Sequence, residues 1–314
     1  MMATQHIPVM LKECLAALDP KVGEVMVDGT LGLGGHAAHL VEAVGPAGAV
    51  IGFDWDLDMM AIAKKSLPSI GLVHADYRAI PEALQVLSGS DRFVVDIQNP
   101  VKISEPFVDG ILLDMGLNSA QIEDPSRGIS FMENGPLDMR MDRSEGMTAA
   151  EYLNSASEDH LDKVLKEFGE EAWSRKIAKV IVDRRKEKQL EMTQDLIDCV
   201  LAAIPLSKRE KRIHPATRTF QAIRIEVNQE LADLEEHFIR IANCLRPGGR
   251  MAVLSYHSLE DRPLKKAVKS LEAPGKFISL NKGGETPSQE EIERNRRSRS
   301  ARLRGVIKVK EEQS

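Results

Sequence analysis

The chain has 314 residues, of which 42% are hydrophobic and 29% charged, and its formal net charge is −6. This length predicts one large domain with an insert, or two domains, with a core that needs neither disulfides nor a structural metal. The three cysteines form no CxxC pair, and no run of about 18 apolar residues or signal-like N-terminus occurs, which argues against a zinc ribbon, a membrane span and secretion. We therefore expect a cytoplasmic protein without a metal site or a membrane partner.

The first third of the chain alternates short apolar runs with helical patterns such as His36–Val44 and Met59–Leu67. Alternation of strands and helices predicts right-handed crossovers and a mainly parallel, doubly wound α/β sheet. The segment Ser88–Pro106 is less regular and fits either an extra loop or an edge hairpin. The predicted strands are Val25–Asp28, Ala49–Phe53, Leu72–His74 and Val108–Leu113.

From Pro125 to about His214 the strand signal disappears. Thr148 and Glu151 have the spacing of a capping box, in which each side chain satisfies a free backbone N–H at a helix start. We therefore predict an all-helical insert over residues 125–214, within a discontinuous domain of residues 1–124 and 215–314. Its helical patterns are Leu161–Phe168, Trp173–Arg185 and Gln194–Ile204.

Beyond the insert, apolar residues recur at spacings of three and four from Phe220 to Leu245, which predicts one long helix. The Arg246–Gly249 turn ends it, because proline cannot extend a helix and glycine can turn the chain. Met251–Tyr256 is a fifth predicted strand and Gly305–Val309 a last one. We expect the apolar stripe, and Trp173 in the insert, to lie in the core.

A glycine-rich stretch, Gly29–Gly35, directly follows the first strand and its terminal Asp28. Glycines let the backbone approach a ligand closely, and the next helix start offers free N–H groups. Asp54 ends the second strand, where an acid can hydrogen-bond both hydroxyls of a ribose. These features predict a site for an adenosine-containing cofactor, although a glycine turn with a packing role alone stays open.

The identity of that cofactor is a closer decision. Gly32–Ala37 formally fits the GxGxxA pattern, so a dinucleotide is not excluded. S-adenosylmethionine is favoured because Asp28 can hold a cationic amino-acid group and Asp76-Tyr77 suits an adenine edge and face. The Arg-Pro-Gly-Gly turn before a late strand is also typical of methyltransferase sheets.

Asp114 ends the fourth predicted strand, at the sheet edge where α/β enzymes bind their ligands. Cytosine N4 is a poor nucleophile because its lone pair is delocalised into the ring. A carboxylate that accepts one of its N–H bonds localises the lone pair and aligns it for attack on a methyl sulfonium. Asp114 is therefore the candidate catalytic residue; a role in positioning the cofactor is compatible and stays open.

Six ordered sequence blocks resemble the bacterial 16S rRNA (cytosine-N4)-methyltransferase family, also called RsmH or MraW. The resemblance extends from His6 to Arg304, and such long blocks are far more specific than a glycine pattern. The blocks are Gly29–His36 (GTxGxGGH in the family), Leu112–Gln121 (LLDLGVSSxQ), Arg127–Phe131 (RGFSF), Gly135–Asp142 (GPLDMRMD), His214–Arg224 (HPATRTFQAxR) and Ser255–Arg262 (SFHSLEDR).

The resemblance implies a Rossmann-like class I methyltransferase domain that transfers a methyl group from S-adenosylmethionine to N4 of a cytidine in the decoding region (P site) of 16S rRNA. Departures are mild: Tyr77 stands where the family commonly has Phe, Ala37 replaces Ser, and Asn118 replaces Ser, which leaves the acceptor geometry less defined. The implied cofactor contacts are Gly34, Gly35, His36, Asp54, Tyr77, Asp114 and Gln121.

The implied partner is 16S rRNA in the small ribosomal subunit, with the insert as one wall of the RNA cleft. Two basic segments suit it, Lys208–His214 and the arginine-rich Arg294–Arg304, since arginine clusters neutralise phosphates. His257, near Glu260 and Asp261 but without a second histidine, fits substrate contact better than metal binding. The RNA-contact candidates are Arg140, His214, Arg218, His257, Arg296 and Arg297.

Two other functions stay open from the sequence. A nicotinamide-dependent oxidoreductase would bind NAD in place of S-adenosylmethionine. A ribosome-assembly factor would bind RNA without transferring a methyl group. The oligomeric state is also open, a homodimer included.

Overall fold

The structure is a computed structural model that describes residues 7–89, 96–98, 103–210 and 212–310. The chain divides into two compact units: Met1–Gly116 with Asp233–Ser314, and Leu117–Ala232. We call them the α/β unit and the helical unit. The helical unit begins before and ends after the insert predicted at residues 125–214.

The α/β unit is built on one sheet with the strand order β4-β3-β2-β1-β5-β6-β8-β7. Neighbours from β3 through β6 are parallel, whereas β4, β8 and β7 pair antiparallel at the two sides. The mainly parallel Rossmann-like sheet is thus confirmed. Its strands are β1 (Val25–Asp28), β2 (Ala49–Asp54), β3 (Gly71–His74), β4 (Asp96–Gln98), β5 (Val108–Asp114), β6 (Leu245–Ser255), β7 (Phe277–Ser279) and β8 (Arg302–Lys308).

The described residues also form thirteen α-helices. They are α1 (Leu11–Leu18), α2 (Gly35–Val44), α3 (Leu57–Ser66), α4 (Ile80–Leu87), α5 (Ser119–Glu123), α6 (Ala149–Ser155), α7 (Glu158–Gly169), α8 (Ser174–Glu187), α9 (Thr193–Ala203), α10 (Thr217–Val227), α11 (Leu234–Asn243), α12 (Ser258–Glu272) and α13 (Gln289–Arg294). None of the helices in the described ranges is long and apolar enough to cross a bilayer.

The central strands are apolar almost throughout, as expected for parallel strands covered on both faces. Met26, Val27, Leu72 and Leu113 are fully buried. The helix after β2 starts at a cap: the Asp56 carboxylate accepts N–H groups of the first turn of α3. Burial of the strands and local capping together bring the strand ends and the helix starts to one edge of the sheet.

The helical unit has its own core. Leu161, Leu165, Ile177, Val200 and Phe220 are buried in it, one or more from each of α7, α8, α9 and α10. The predicted capping box is confirmed at α6, where Thr148 and Glu151 exchange side-chain to backbone hydrogen bonds. A single β-bridge, Pro136 with Met192, is the sole extended pairing among the described residues of this unit.

The predicted long helix from Phe220 to Leu245 is wrong, because the chain breaks it into α10 and α11. Gln229 and Asp233 adopt the left-handed conformation, with φ of 51° and 48°. Asn228 holds the break: its Nδ2 donates to the Arg224 and Met139 carbonyls, and its Oδ1 accepts the Met141 N–H at 2.7 Å. Since α10 packs on α7 and α11 on α12, the break also marks the boundary between the units.

The Arg246–Gly249 turn is a bulge within β6 rather than a loop before it. Val108 pairs with Leu245, but Gly110 pairs with Arg250, so β6 carries extra residues at this point. Gly248, with φ of 88°, provides the backbone conformation that the bulge needs. Most of the irregular Ser88–Pro106 segment lies outside the described residues; within it, β4 pairs with β3 at the sheet edge.

Candidate functional site

Three aspartates end three neighbouring strands of the sheet. Asp28 ends β1, Asp54 ends β2 and Asp114 ends β5, and β1 lies between the other two. Asp28 and Asp54 are 1% and 9% exposed, and the Asp114 side chain is 19% exposed. Because parallel strands end at the same edge, the carboxylates lie together at the edge where α/β folds bind ligands.

The glycine-rich loop after β1 closes around this edge. Gly32 and Gly34 have φ of 51° and 81°, and Gly34 is the residue before α2, which begins at Gly35. A Cβ on Gly34 would come within 2.8 Å of the Leu67 side chain. Both this close contact and the positive φ disfavour any other residue at position 34. The first N–H groups of α2 are thereby presented at the end of β1.

Asp54 is held by the backbone rather than by a basic side chain. Its Oδ2 accepts the Gly32 N–H at 2.7 Å and its Oδ1 accepts the Asp56 N–H at 2.9 Å. Burial raises the pKa of Asp54 to about 7, and the nearby Asp56 and Asp28 carboxylates add to the rise. The ionised form is therefore disfavoured until a ligand offers hydroxyl donors or positive charge.

Asp28 is likewise a buried carboxylate with a raised pKa. Burial raises its pKa to about 6, and the Asp114 carboxylate adds to the rise, although His36 and the Thr30 N–H oppose it. Its Oδ1 accepts the Thr30 N–H at 3.2 Å. Two adjacent buried acids with raised pKa values fit a cationic ligand that carries hydroxyl groups, which agrees with the donor set that S-adenosylmethionine requires.

Asp114 is oriented by groups from three elements. The Tyr256 hydroxyl, directly after β6, donates to its Oδ1 at 2.7 Å, and its own N–H donates to Thr30 Oγ1 at 2.6 Å. His36 Nδ1 lies 3.8 Å from Asp114 Oδ2, while His36 Nε2 lies 3.0 Å from the Val9 carbonyl oxygen. One carboxylate oxygen is thus held by Tyr256, and Oδ2 is left for a further donor.

Tyr256 is a site residue that the sequence reasoning missed. Its burial and the adjacent Asp114 raise the pKa of its hydroxyl well above the usual value, so it stays protonated and donates. The Tyr256 ring also packs against Gly116, where a Cβ would lie 2.6 Å from it. A signal for Tyr256 was present in the sequence. It ends the fifth predicted strand, and its hydroxyl distinguishes it from the Phe that stands at this place in the motif it resembles.

Tyr77 and Gln121 occupy different units. Tyr77 is buried three residues after the end of β3, and its Cβ is close to Gly29 at the start of the glycine loop. Asp76, predicted to lie at the adenine, forms a bidentate pair with Arg78, at 2.6 and 3.1 Å. Gln121 belongs to the helical unit, where its Oε1 accepts the Asn118 N–H in the capping box of α5.

The RNA-contact candidates of the helical unit already have partners. The Arg140 guanidinium donates to both oxygens of Asp138, at 2.7 and 3.0 Å. Arg218 Nη1 lies 2.8 Å from Glu210 Oε1. His214 is exposed and stacks on Phe131, with ring centroids 4.7 Å apart. Lys211, in the same basic segment, lies outside the described residues.

The arginine-rich segment Arg294–Arg304 was predicted to contact RNA as a whole, but two of its arginines are paired with acidic side chains. Arg304 is 6% exposed and donates to both oxygens of Asp261, and Arg294 pairs with Glu291. Arg296 and Arg297 are exposed on the turn before β8.

His257 follows the same β6 end as Tyr256 in the α/β unit. Its Nε2 lies 3.0 Å from Glu260 Oε1, and the other oxygen of Glu260 accepts the Tyr256 N–H at 2.8 Å. Across the described ranges, no group of three or more His, Cys, Asp or Glu side chains is arranged to hold a metal ion. His257 therefore connects the end of β6 to Glu260 in the first turn of α12.

Comparison with known proteins gives one family across the chain. The model of the MraW methylase family matches residues 3–309. The chain is 41% identical over 323 residues to the ribosomal RNA small subunit methyltransferase H of Geobacter sp. (strain M21), covering 97% of this chain and 98% of that protein. The protein of the same name from Elusimicrobium minutum is 40% identical over 306 residues, covering 97% and 98%. A solved putative rRNA methylase from Clostridium thermocellum is 12% identical, with a TM-score of 0.40 and coverage of 98% and 99%.

Proposed function

Since the chain belongs to the MraW methylase family, we propose that it methylates small-subunit ribosomal RNA in the cytoplasm, at N4 of a cytidine in the P-site region of 16S rRNA. The protein is an enzyme, a methyltransferase, and its methyl donor is S-adenosylmethionine. The observation that carries the proposal is the row of carboxylates at the ends of β2, β1 and β5, of which two are buried and form no ion pair with a lysine or arginine in the described ranges.

The α/β unit offers matching groups for the methyl donor, which supplies an electrophilic methyl group on a sulfonium when bound. The Asp54 oxygens each retain a lone pair for a ribose hydroxyl, beyond the backbone bonds they already accept. Asp28 is the buried acid for the cationic amino-acid end. Gly34, Gly35 and His36, at the start of α2, line the same edge, and Tyr77 and Gln121 complete the proposed contacts.

Asp114 is the proposed catalytic residue. The Tyr256 hydroxyl occupies Oδ1, so Oδ2 is the oxygen that accepts an N–H of the cytosine amino group. This hydrogen bond localises the nitrogen lone pair and aims it at the methyl group, a positioning and general-base effect of about 10²–10⁴-fold in rate. Transfer would form an N–CH₃ bond and break the S–CH₃ bond, whose electron pair stays on the sulfur as a neutral thioether, and the proton that leaves the nitrogen would pass to the Asp114 carboxylate or to water.

The target cytosine has to leave its base stack, because N4 is otherwise engaged in pairing. We assign RNA recognition to the helical unit and to the exposed Arg296 and Arg297. His214 and Arg218 are its candidates in the helical unit, and His257 is one in the α/β unit. Arg140, a further candidate for RNA contact, lies beside Asp138 and donates hydrogen bonds to both of its carboxylate oxygens.

The test is transfer from methyl-labelled S-adenosylmethionine to small subunits that lack the modification, followed by nuclease digestion and mass mapping. We expect label in N4-methylcytidine at one 16S position, and loss of it with Asp114→Asn. RNA binding without label would favour an assembly factor. Tight calorimetric binding of NAD without binding of S-adenosylmethionine would favour an oxidoreductase.

A further inference from the structure

A cavity of about 240 Å³ lies within the helical unit, between the start of α8 and the segment that precedes α10. It is smaller than the roughly 300–1,000 Å³ of pockets for drug-sized ligands, which suits a group of the size of one nucleobase. Its lining includes Glu171, Trp173, Lys208, His214 and Arg218. Predicted RNA contacts and residues with no assigned role therefore meet in one place.

Glu171 is the unusual member of this lining. It is 4% exposed, and its Oε1 accepts the Trp173 N–H at 2.9 Å. Its Oε2 has no hydrogen-bond partner in the part of the chain that the structure describes. Oε2 is not among the fully buried polar atoms that lack a partner, so it stays accessible at the cavity and can accept an N–H from a ligand.

Trp173 provides an aromatic wall. It was expected in the core; it does pack against the core of the helical unit, but it is only half-buried and also lines the cavity. Lys176 Nζ lies 4.6 Å from its ring centroid, a cation–π contact that keeps the indole in place. Aromatic side chains of this kind bind unpaired bases by stacking.

Basic side chains also line the cavity. Lys208 is exposed and forms no ion pair with any described residue, whereas Arg218 is balanced by Glu210. His214 Nδ1 accepts the Ala216 N–H, so its neutral ring carries the proton on Nε2 and can donate. This positive rim attracts a phosphate and repels a lysine- or arginine-rich peptide, the other ligand that a buried carboxylate would accept.

We propose that this cavity binds one unpaired nucleobase of the RNA substrate, other than the base that is methylated. The exocyclic amino group donates to Glu171 Oε2, the ring packs on Trp173, and the phosphate contacts Lys208. Cytosine, adenine and guanine carry an exocyclic amino group, whereas the edge donor of uracil, N3–H, lies between two carbonyl oxygens that the carboxylate repels. The inference rests on the proposed function in one respect, that the substrate is RNA.

The chain has two tryptophans, Trp55 and Trp173, so in a Trp55→Phe background the fluorescence reports the cavity alone. Titration with hexacytidylate should quench it, with an affinity about tenfold higher than that of hexauridylate, the value of one hydrogen bond to a charged group. Glu171→Gln keeps the Oε1 acceptor and should abolish this preference, because an amide nitrogen replaces Oε2.

Lys208→Ala should weaken both oligonucleotides and lower the salt slope by about one. Lys186→Ala, at the far end of α8, is the matched control and should change neither. Absence of quenching, equal affinity of the two oligonucleotides, an unchanged preference in Glu171→Gln, or stronger quenching by oligolysine than by RNA would each overturn the inference.

The same variants in the methyl-transfer assay separate this inference from the proposed function. Glu171→Gln should raise the KM for the RNA about tenfold and leave the binding of S-adenosylmethionine unchanged. If labelled subunits form but the cytidine preference is absent, the cavity inference alone fails. If the preference and its loss in Glu171→Gln are observed without methyl transfer, the cavity inference stands and the proposed function fails.

Discussion

Asp138 of the helical unit and the two buried aspartates Asp28 and Asp54 of the α/β unit are held in opposite ways. In the helical unit, burial acts to raise the pKa of Asp138, but the bidentate Arg140 guanidinium outweighs it and the pKa is lowered. In the α/β unit, Asp28 and Asp54 form no ion pair with a described lysine or arginine, and burial raises their pKa values to about 6 and about 7.

This difference separates structural carboxylates from binding ones. A carboxylate that the chain pairs with its own cation holds the fold together, because both charges are satisfied before any ligand arrives. A buried carboxylate that lacks such a cation has a disfavoured charge, which a cationic ligand relieves on binding. We therefore propose that Asp28 and Asp54 bind the ligand and that Asp138 stabilises the fold.

The largest effect is expected at Asp114, where catalysis rather than binding is at stake. Asp114→Asn should lower kcat by about 10²–10⁴-fold, because the amide cannot accept the amino N–H as a carboxylate does. Methyl-transfer kinetics measure this, with Asp183→Asn on the exposed face of α8 as control. A variant with wild-type kcat would leave Asp114 with a cofactor-positioning role alone.

Asp54 and Asp138 provide the matched pair that tests the comparison itself. Asp54→Ala should weaken S-adenosylmethionine binding about 100-fold, since two charge-assisted hydrogen bonds are lost, and leave RNA binding intact. Asp138→Ala should instead lower the free energy of unfolding by about 1–3 kcal/mol, because Arg140 loses its partner. Calorimetry measures the affinity for S-adenosylmethionine, and urea unfolding measures the free energy of unfolding. If Asp54→Ala and Asp138→Ala changed the affinity equally and the stability equally, the comparison would fail.

The pH dependence of the free energy of unfolding provides a second test of the burial of Asp54. The folded-state pKa of Asp54 is raised from 3.8 to about 7, so the folded, ligand-free protein binds an extra proton between these values. Its stability relative to Asp54→Asn should be highest below pH 4 and fall by about 1.4 kcal/mol per pH unit until pH 7. Urea unfolding across this range, with both proteins free of ligand, is the measurement; a rise with pH would contradict the burial argument.

The smallest effect is expected in the arginine-rich C-terminal segment. Replacing the exposed Arg296 and Arg297 by alanine should lower RNA affinity several-fold and reduce the salt slope by about two. Arg304→Ala should lower stability instead and leave the slope unchanged, because Asp261 already neutralises that side chain. Filter binding at several salt concentrations decides between RNA contact and a solvated surface.

The strands of the parallel sheet could be predicted from the sequence because a short local pattern identifies each of them. An apolar run that ends in an acid marked β1, β2 and β5, because buried parallel strands leave few polar positions before the sheet edge. The prediction of one long helix was wrong because apolar spacing carries no information about the left-handed backbone of Gln229 and Asp233, or about the hydrogen bonds of Asn228 to Met139 and Met141.

The candidate site was predictable in its acids but not in their partners. Asp54 and Asp114 follow from the strand-end rule, whereas the Tyr256 hydroxyl on Asp114 joins residues that are 142 positions apart. Likewise, Arg304 looked free in the sequence because its acidic partner, Asp261, lies on α12 and not beside it. Long-range pairing of charges is set by packing, and no spacing rule reports it.

The most direct test of the central claim is the number of protons released when S-adenosylmethionine binds at pH 6.5. Calorimetry in two buffers of different ionisation enthalpy gives that number. Because Asp28 and Asp54 bind the ligand as carboxylates, we predict net release of about one proton in the wild-type protein and a smaller release in Asp54→Ala. Binding without proton release, or with proton uptake, would contradict the account.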